Sequence, residues 1–224
     1  SDYKFQVSGI NIDADPEKNL IIRAYRLLKR DFHLKPVDVH LIKNIPFGAG
    51  LGGGSSDAAY MLKALNQLFE LKLSPGELEK IAVKLGADCP VFISNQPVFA
   101  EGIGNVFQSV DLSLEGYYAV LIKPDIFVST PEAYASVIPA KPQHSLRENI
   151  NKPVSEWKNY IFNDFEKSVF NKYPLIGEIK SKLYEKGAVF ALMSGSGSSV
   201  YGVFNQYPTD MSGFENCFIY VGRF

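Results

Sequence analysis

The sequence has little of what marks several classes of protein. Its two cysteines, Cys89 and Cys217, lie far apart among 224 residues, too few for a disulfide framework or a zinc site. A reducing, cytoplasmic setting is expected. The three histidines, His33, His40 and His144, have no partner residues at ligand or triad spacing. No apolar run approaches the ~18–20 residues of a membrane span, and the first residues do not read as a signal peptide. An excess of charge is missing too: 23 Lys and Arg stand against 24 Asp and Glu, a net charge of −1. No basic tract offers the footprint that a nucleic acid demands. No internal repeat is evident. What remains is 46% hydrophobic and 21% charged, ordinary for a globular protein with a core, and long enough for one large domain or two modest ones.

The richest stretch is Ile45-Pro-Phe-Gly-Ala-Gly-Leu-Gly-Gly-Gly-Ser-Ser-Asp-Ala-Ala59. Five of the 18 glycines fall within the seven positions from Gly48 to Gly54. Such a run cannot build a core and is costly to order. Ser55, Ser56 and Asp57 then supply N-cap chemistry for a helix expected over residues 58–69, whose apolar stripe is Ala58, Leu62, Leu65 and Phe69. A glycine loop feeding a helix N-terminus is an anion-binding device, because bare N–H groups and the helix dipole both favour negative charge. The Walker A pattern fails for want of a lysine at the helix start, and the dinucleotide fingerprint matches imperfectly. Leu51 within the run, and the amphipathic helix after it, argue for a phosphate cradle over a flexible linker.

Pro46-x-x-x-Gly50-Leu-Gly-Gly-Gly-Ser-Ser56 resembles the second signature motif of the GHMP kinases, the galactokinase, homoserine kinase, mevalonate kinase and phosphomevalonate kinase superfamily. The form Gly50-Leu-Gly-Gly-Gly-Ser-Ser-Asp-Ala-Ala59 is most similar to that of the 4-diphosphocytidyl-2-C-methyl-D-erythritol kinases of the non-mevalonate route to isoprenoids. The resemblance implies ATP bound along Pro46, Gly48, Gly50, Leu51, Gly52, Gly53, Gly54, Ser55 and Ser56, with Mg²⁺ brought by the nucleotide.

The rest of the chain can be read beside it. Asp13-Ala-Asp-Pro16 is turn chemistry after an imperfect strand over residues 2–12. Asn19 reads as the cap of a helix over residues 20–30. Residues 37–43 alternate as a strand leading into the glycine loop, with Lys43 at its end and His40 on its polar phase. The resemblance sets Asn19 beside the adenine and Lys43 in the frame of that pocket. Ser74-Pro-Gly-Glu77 is a capping box, with proline at the first helical position. The helix it opens stops at Gly86, followed by Gly86-Ala-Asp-Cys-Pro-Val-Phe-Ile93. Asp88 is expected half-buried at a helix–strand junction, where a carboxylate must find a partner or shift its pKa, as a general base requires. The segment is similar to the one that carries the family's catalytic aspartate, which falls on Asp88. Cys89 reads as a small buried hydrophobe.

A strand is expected over residues 117–122, then a helix capped by Ser129 or Thr130. By resemblance Thr130 and Tyr134 hold the substrate's cytosine; the plainer reading of Tyr134 is packing. Two amphipathic helices flank Pro174. Strands over residues 187–193 and 200–204 then enclose Ser194-Gly-Ser-Gly-Ser-Ser199, a serine/glycine turn that is similar to the superfamily's third motif and brings Gly195 toward the triphosphate. A last edge strand spans residues 217–222. The family's first motif, a Pro-x-Ala-Lys-x-Asn strand with a catalytic lysine, is not present in this sequence, nor is the Gly-Tyr-His segment after it. By the resemblance, the first domain therefore lacks its first strands.

The resemblance implies an α+β fold of two GHMP kinase domains, residues 1–110 and 111–224, with the active site in the cleft between them. It implies phosphorylation of the 2-hydroxyl of 4-diphosphocytidyl-2-C-methyl-D-erythritol by a monomer or weak homodimer that uses no membrane or nucleic acid. Two alternatives stay open: a GHMP kinase for homoserine or a mevalonate derivative, and a nucleotide-binding protein without turnover.

Overall fold

The alternating stretches at the start become two strands, β1 (Tyr3–Gly9) and β2 (Val37–Lys43), paired in parallel from Tyr3 opposite Val37 to Gly9 opposite Lys43. A parallel pair needs a crossover. It is supplied by a 3₁₀ turn at Pro16–Lys18 and helix α1 (Leu20–Phe32), capped by the Asn19 side chain accepting from Ile21 N. The computed structural model describes every residue except Ser1, Asn11, Ile12, Asp13, Ala14, Phe47, Ile103, Asn105, Ser136 and Pro139. Part of the strand expected to Ile12 and of the Asp13–Pro16 turn thus lies outside the described residues.

Helix α2 (Gly53–Leu68) follows the glycine run. It starts earlier than the spacing of apolar residues suggests. Gly52, left-handed at φ 64°, is its N-cap and no side chain caps it, so Ser55, Ser56 and Asp57 lie inside the first turns instead of before them. Glycine reaches that conformation without the steric cost another residue would meet. Helix α3 (Pro75–Ala82) carries the full Ser74/Glu77 capping box. Residues 91–93, expected to lead into a strand, instead form a short helix, α4 (Val91–Ser94). An antiparallel pair, β3 (Val98–Glu101) and β4 (Val106–Ser109), comes next.

Ala24, Tyr25 and Leu28 of α1, Ala58, Ala59, Leu62 and Leu65 of α2, Leu78 and Ala82 of α3, Cys89 and Ile93 make one buried cluster. The polar end of the buried Tyr25 is satisfied, its hydroxyl donating to the Asp2 carbonyl (2.8 Å) with the Lys35 carbonyl 3.2 Å away.

The second half builds a four-stranded antiparallel sheet. In chain order its elements are β5 (Tyr118–Pro124), α5 (Thr130–Ala135), α6 (Leu146–Asn149), a 3₁₀ turn at Val154–Asn159, α7 (Glu166–Lys172), α8 (Pro174–Glu185), β6 (Phe190–Met193), β7 (Val200–Phe204) and β8 (Cys217–Arg223). The strand order is β6-β7-β5-β8, which leaves β8 at an edge as expected. Strand alternation divides the buried residues between two faces. Val120, Ile122, Ala191, Met193 and Val200 pack with Ile176, Ile179 and Leu183 of α8. Phe190 and Val203 join Val154, Trp157 and Ile161.

Two compact units result. One is residues 1–47 with 52–110; the other is residues 48–51 with 111–224. The glycine run is therefore shared: its first four residues, Gly48–Leu51, group with the second unit.

Candidate functional site

In the first unit the features centre on the N-terminus of α2. A glycine N-cap with no capping side chain leaves the first-turn N–H groups without a side-chain acceptor among the described residues. Gly52 lies against the Phe92 ring, where a Cβ would come within 2.9 Å of it, and Gly54 lies 3.8 Å from the Leu20 side chain by the same measure. Leu20, the residue after the Asn19 cap of α1, thus packs at the start of α2. Lys43 at the end of β2 is 4% exposed. Its ammonium pairs with Asp57 at 2.5 Å and lies 3.3 Å from where a Gly53 Cβ would stand. A buried ammonium needs such a partner, and a carboxylate in the first turns also suits the helix dipole. Pro46 is half-buried on the approach to the loop.

Asp88 occupies the turn between α3 and α4 and is exposed, which corrects the half-buried position expected of it. The next two residues, Cys89 and Pro90, take the buried positions instead, because the chain turns inward to begin α4. The Asp88 carboxylate has no hydrogen-bond or ion-pair partner among the described residues. Burial pushes the Cys89 thiol above its ordinary pKa, with a hydrogen bond to Ser55 pulling the other way. The thiol is therefore protonated and inert near neutrality, as a packing residue should be.

In the second unit the remaining part of the glycine run meets the serine/glycine turn. Gly50, at φ 72°, is so close that a Cβ would run into the Ser194 carbonyl oxygen and reach the Gly197 oxygen at 2.9 Å. Ser194 Oγ donates to the Gly50 carbonyl (2.8 Å), and Ser199 N donates to that of Ala49 (3.2 Å). Gly195 is left-handed as well, φ 53°, and a Cβ there would lie 3.1 Å from the Gly50 oxygen. Gly48 lies against the exposed Phe127 ring. Two glycine turns are thus interlocked backbone to backbone, a contact that side chains would forbid. Leu51 is half-buried.

Thr130 is exposed at the start of α5, and Glu132 N donates to Ser129 Oγ at 3.3 Å, which makes Ser129 the capping residue. Tyr134 is 63% exposed, its ring edge-on to Phe165 with centroids 4.9 Å apart. Thr130 and Tyr134, four apart, share one face of the helix.

Three residues of these surroundings escaped the sequence reading. Asp57 was visible but its position read as capping. Asn163, whose amide holds Met193 and Gly195, and Glu166, which holds Met193 N, carry no local signal. Among the described residues no group of three or more His, Cys, Asp or Glu could hold a metal ion, and no helix is long and apolar enough to cross a membrane.

Comparison with known proteins adds to this geometry. The model of the GHMP kinases N-terminal domain matches residues 19–102, and that of the GHMP kinases C-terminal domain matches residues 146–210. A 4-diphosphocytidyl-2-C-methyl-D-erythritol kinase of Bacteroides fragilis is 61% identical over 198 residues, 88% of this chain and 72% of that protein. The crystal structure of a 4-(cytidine 5′-diphospho)-2C-methyl-D-erythritol kinase superposes with a TM-score of 0.73 at 30% identity, covering 90% of this chain and 73% of the other. The homoserine kinase of Cytophaga hutchinsonii reaches a TM-score of 0.72 at 17% identity, covering 98% and 81%, a likeness of fold alone.

Proposed function

This chain belongs to the GHMP kinases, and within them to the 4-diphosphocytidyl-2-C-methyl-D-erythritol kinases, and we propose from that membership how its residues carry out the reaction. It is a kinase of the non-mevalonate route to isoprenoids, using ATP to phosphorylate a hydroxyl of 4-diphosphocytidyl-2-C-methyl-D-erythritol. The 2-hydroxyl is the acceptor in our reading. The observation that carries the assignment of roles is the start of α2, where a left-handed glycine cap leaves the first turn without a side-chain acceptor among the described residues.

That cradle fits a polyphosphate. N–H groups of Gly53, Gly54 and Ser55, with the helix dipole, offer fixed positive ends to phosphate oxygens. Gly50 and Gly52 let the run pack closely, since a Cβ at the first would collide with the Ser194 carbonyl oxygen and at the second with the Phe92 ring. Mg²⁺ bound to the nucleotide would neutralise charge on the phosphates. Asp88, exposed and without a partner among the described residues, is free to accept the proton of the attacking hydroxyl. Thr130 and Tyr134, on one face of α5, would hold the cytosine, with Tyr134 supplying stacking area. Asn19 and Lys43 border the adenine in this reading. In phosphoryl transfer such positioning and charge stabilisation are most of what a protein contributes.

ADP release, coupled to a dehydrogenase and followed with 4-diphosphocytidyl-2-C-methyl-D-erythritol, homoserine and mevalonate in parallel, tests the reading. Turnover with the first alone, inhibited by added CMP, is the expected outcome. ADP release with homoserine or mevalonate, or indifference to CMP, would overturn the substrate assignment.

A further inference from the structure

Asn163 lies between the 3₁₀ turn at Val154–Asn159 and α7, and no step described above uses it. Its amide nitrogen donates to two carbonyls, those of Met193 and Gly195, each at 2.8 Å. Its Oδ1 accepts from Phe165 N at 3.0 Å, which fixes the orientation of the amide. On the same turn of chain, Glu166 accepts from Met193 N at 2.9 Å and pairs with Lys180 at 2.6 Å. The last residues of β6 and the first of the serine/glycine turn are therefore gripped from one side.

The two hydrogens of a side-chain amide lie in one plane at a fixed angle. Spending both on carbonyls two residues apart turns those carbonyls toward Asn163. Ser194, between them, sends its hydroxyl to the Gly50 carbonyl at 2.8 Å. Gly195 is left-handed there, and its space is bounded by the Gly50 oxygen. Gly50 in turn has no room for a Cβ because the Ser194 and Gly197 carbonyl oxygens occupy it. One line of contacts thus runs from Lys180 and Glu166 through Asn163 and the Met193–Gly195 backbone to Gly50.

We propose that Asn163 is a positioning residue for the nucleotide: by clamping the Met193 and Gly195 carbonyls it sets the backbone against which Gly48–Leu51 is shaped, without itself touching ATP. The inference rests on the reading of that glycine run as the phosphate loop. An amide that merely filled a loop would not engage two carbonyls at the entry to the turn lying against the glycine run.

The test compares the parent chain with Asn163→Ala and Asn163→Asp. The measurements are KM for ATP, KM for the alcohol substrate, melting temperature, and Kd for a non-hydrolysable ATP analogue. Alanine removes both donors. Aspartate also removes them and points acceptors at two carbonyl oxygens, so its effect should be the larger. A misplaced loop should raise KM for ATP and Kd for the analogue about tenfold, while KM for the alcohol stays within about twofold. ATP parameters within about twofold of the parent in both variants would overturn the proposal. So would a joint rise of both KM values together with a fallen melting temperature, the mark of a purely structural role. A folded parent chain that does not bind the analogue at all would overturn the phosphate-loop reading, and the inference with it.

Discussion

At the scale of single residues, exposure and partnership decide what a side chain is free to do. Asp88 is the clearest case. Its neighbour Cys89 is buried, while the Asp88 carboxylate faces solvent with no partner among the described residues. An exposed carboxylate with no such partner contributes little to stability, so Asp88→Asn separates chemistry from folding. The variant should keep its melting temperature, a change within about 0.5 kcal/mol. Its kcat should fall by roughly 10²–10⁴-fold if Asp88 is the general base. ATP binding should persist, because the lost interaction is strongest in the transition state. A near-normal kcat in a folded variant would remove Asp88 from the mechanism.

At the scale of elements, the Lys43–Asp57 pair links the end of β2 to the first turns of α2, across the loop between them. Lys43 is almost wholly buried, with its ammonium against Asp57. Breaking such a pair from one side leaves an uncompensated buried charge, whereas replacing both members by apolar groups of similar size is often nearly neutral. Asp57→Ala should therefore cost on the order of 3 kcal/mol in a denaturant titration. The double variant Lys43→Met with Asp57→Leu should regain most of that loss. A double variant as unstable as the single one would mean that the carboxylate itself, and not the orphaned ammonium, matters to the fold.

The stability of the molecule as a whole should carry the mark of one half-buried phenol. Burial pushes the Tyr201 hydroxyl from its ordinary 10.0 up to about 12, the nearby Glu166 carboxylate adding to the effect. Below pH 10 the phenol is neutral in folded and unfolded chains alike, and its contribution is fully present. Between pH 10 and about 12 the unfolded chain gives up this proton while the folded chain keeps it, so stability falls as pH rises. The shift corresponds to about 1.4 kcal/mol per pH unit, a loss on the order of 2–3 kcal/mol across the window. Denaturant midpoints on either side of it, for the parent and for Tyr201→Phe, check this. The variant should lose less stability than the parent on crossing the window, and equal losses would place the titration elsewhere.

Much of this molecule was legible in the chain because the signals are local. The capping box at Ser74, the asparagine cap at Asn19, the alternation of Val37–Lys43 and the glycine run all act over a few residues, where spacing and side-chain chemistry suffice. Packing settled the rest. That Gly52 caps α2 ahead of the serines depends on a left-handed backbone beside Phe92, and the seating of residues 91–94 as helix depends on burying Ile93 in the first core. The partner of Lys43 lies 14 residues on, the carbonyls held by Asn163 lie 30 and 32 away, and the hydroxyl on the Gly50 carbonyl comes from 144 residues later. A hydrogen bond acts over about 3 Å and records nothing of sequence distance. Which of many asparagines or aspartates would meet those groups was decided when the strands and helices buried their apolar faces and brought the chosen backbones together.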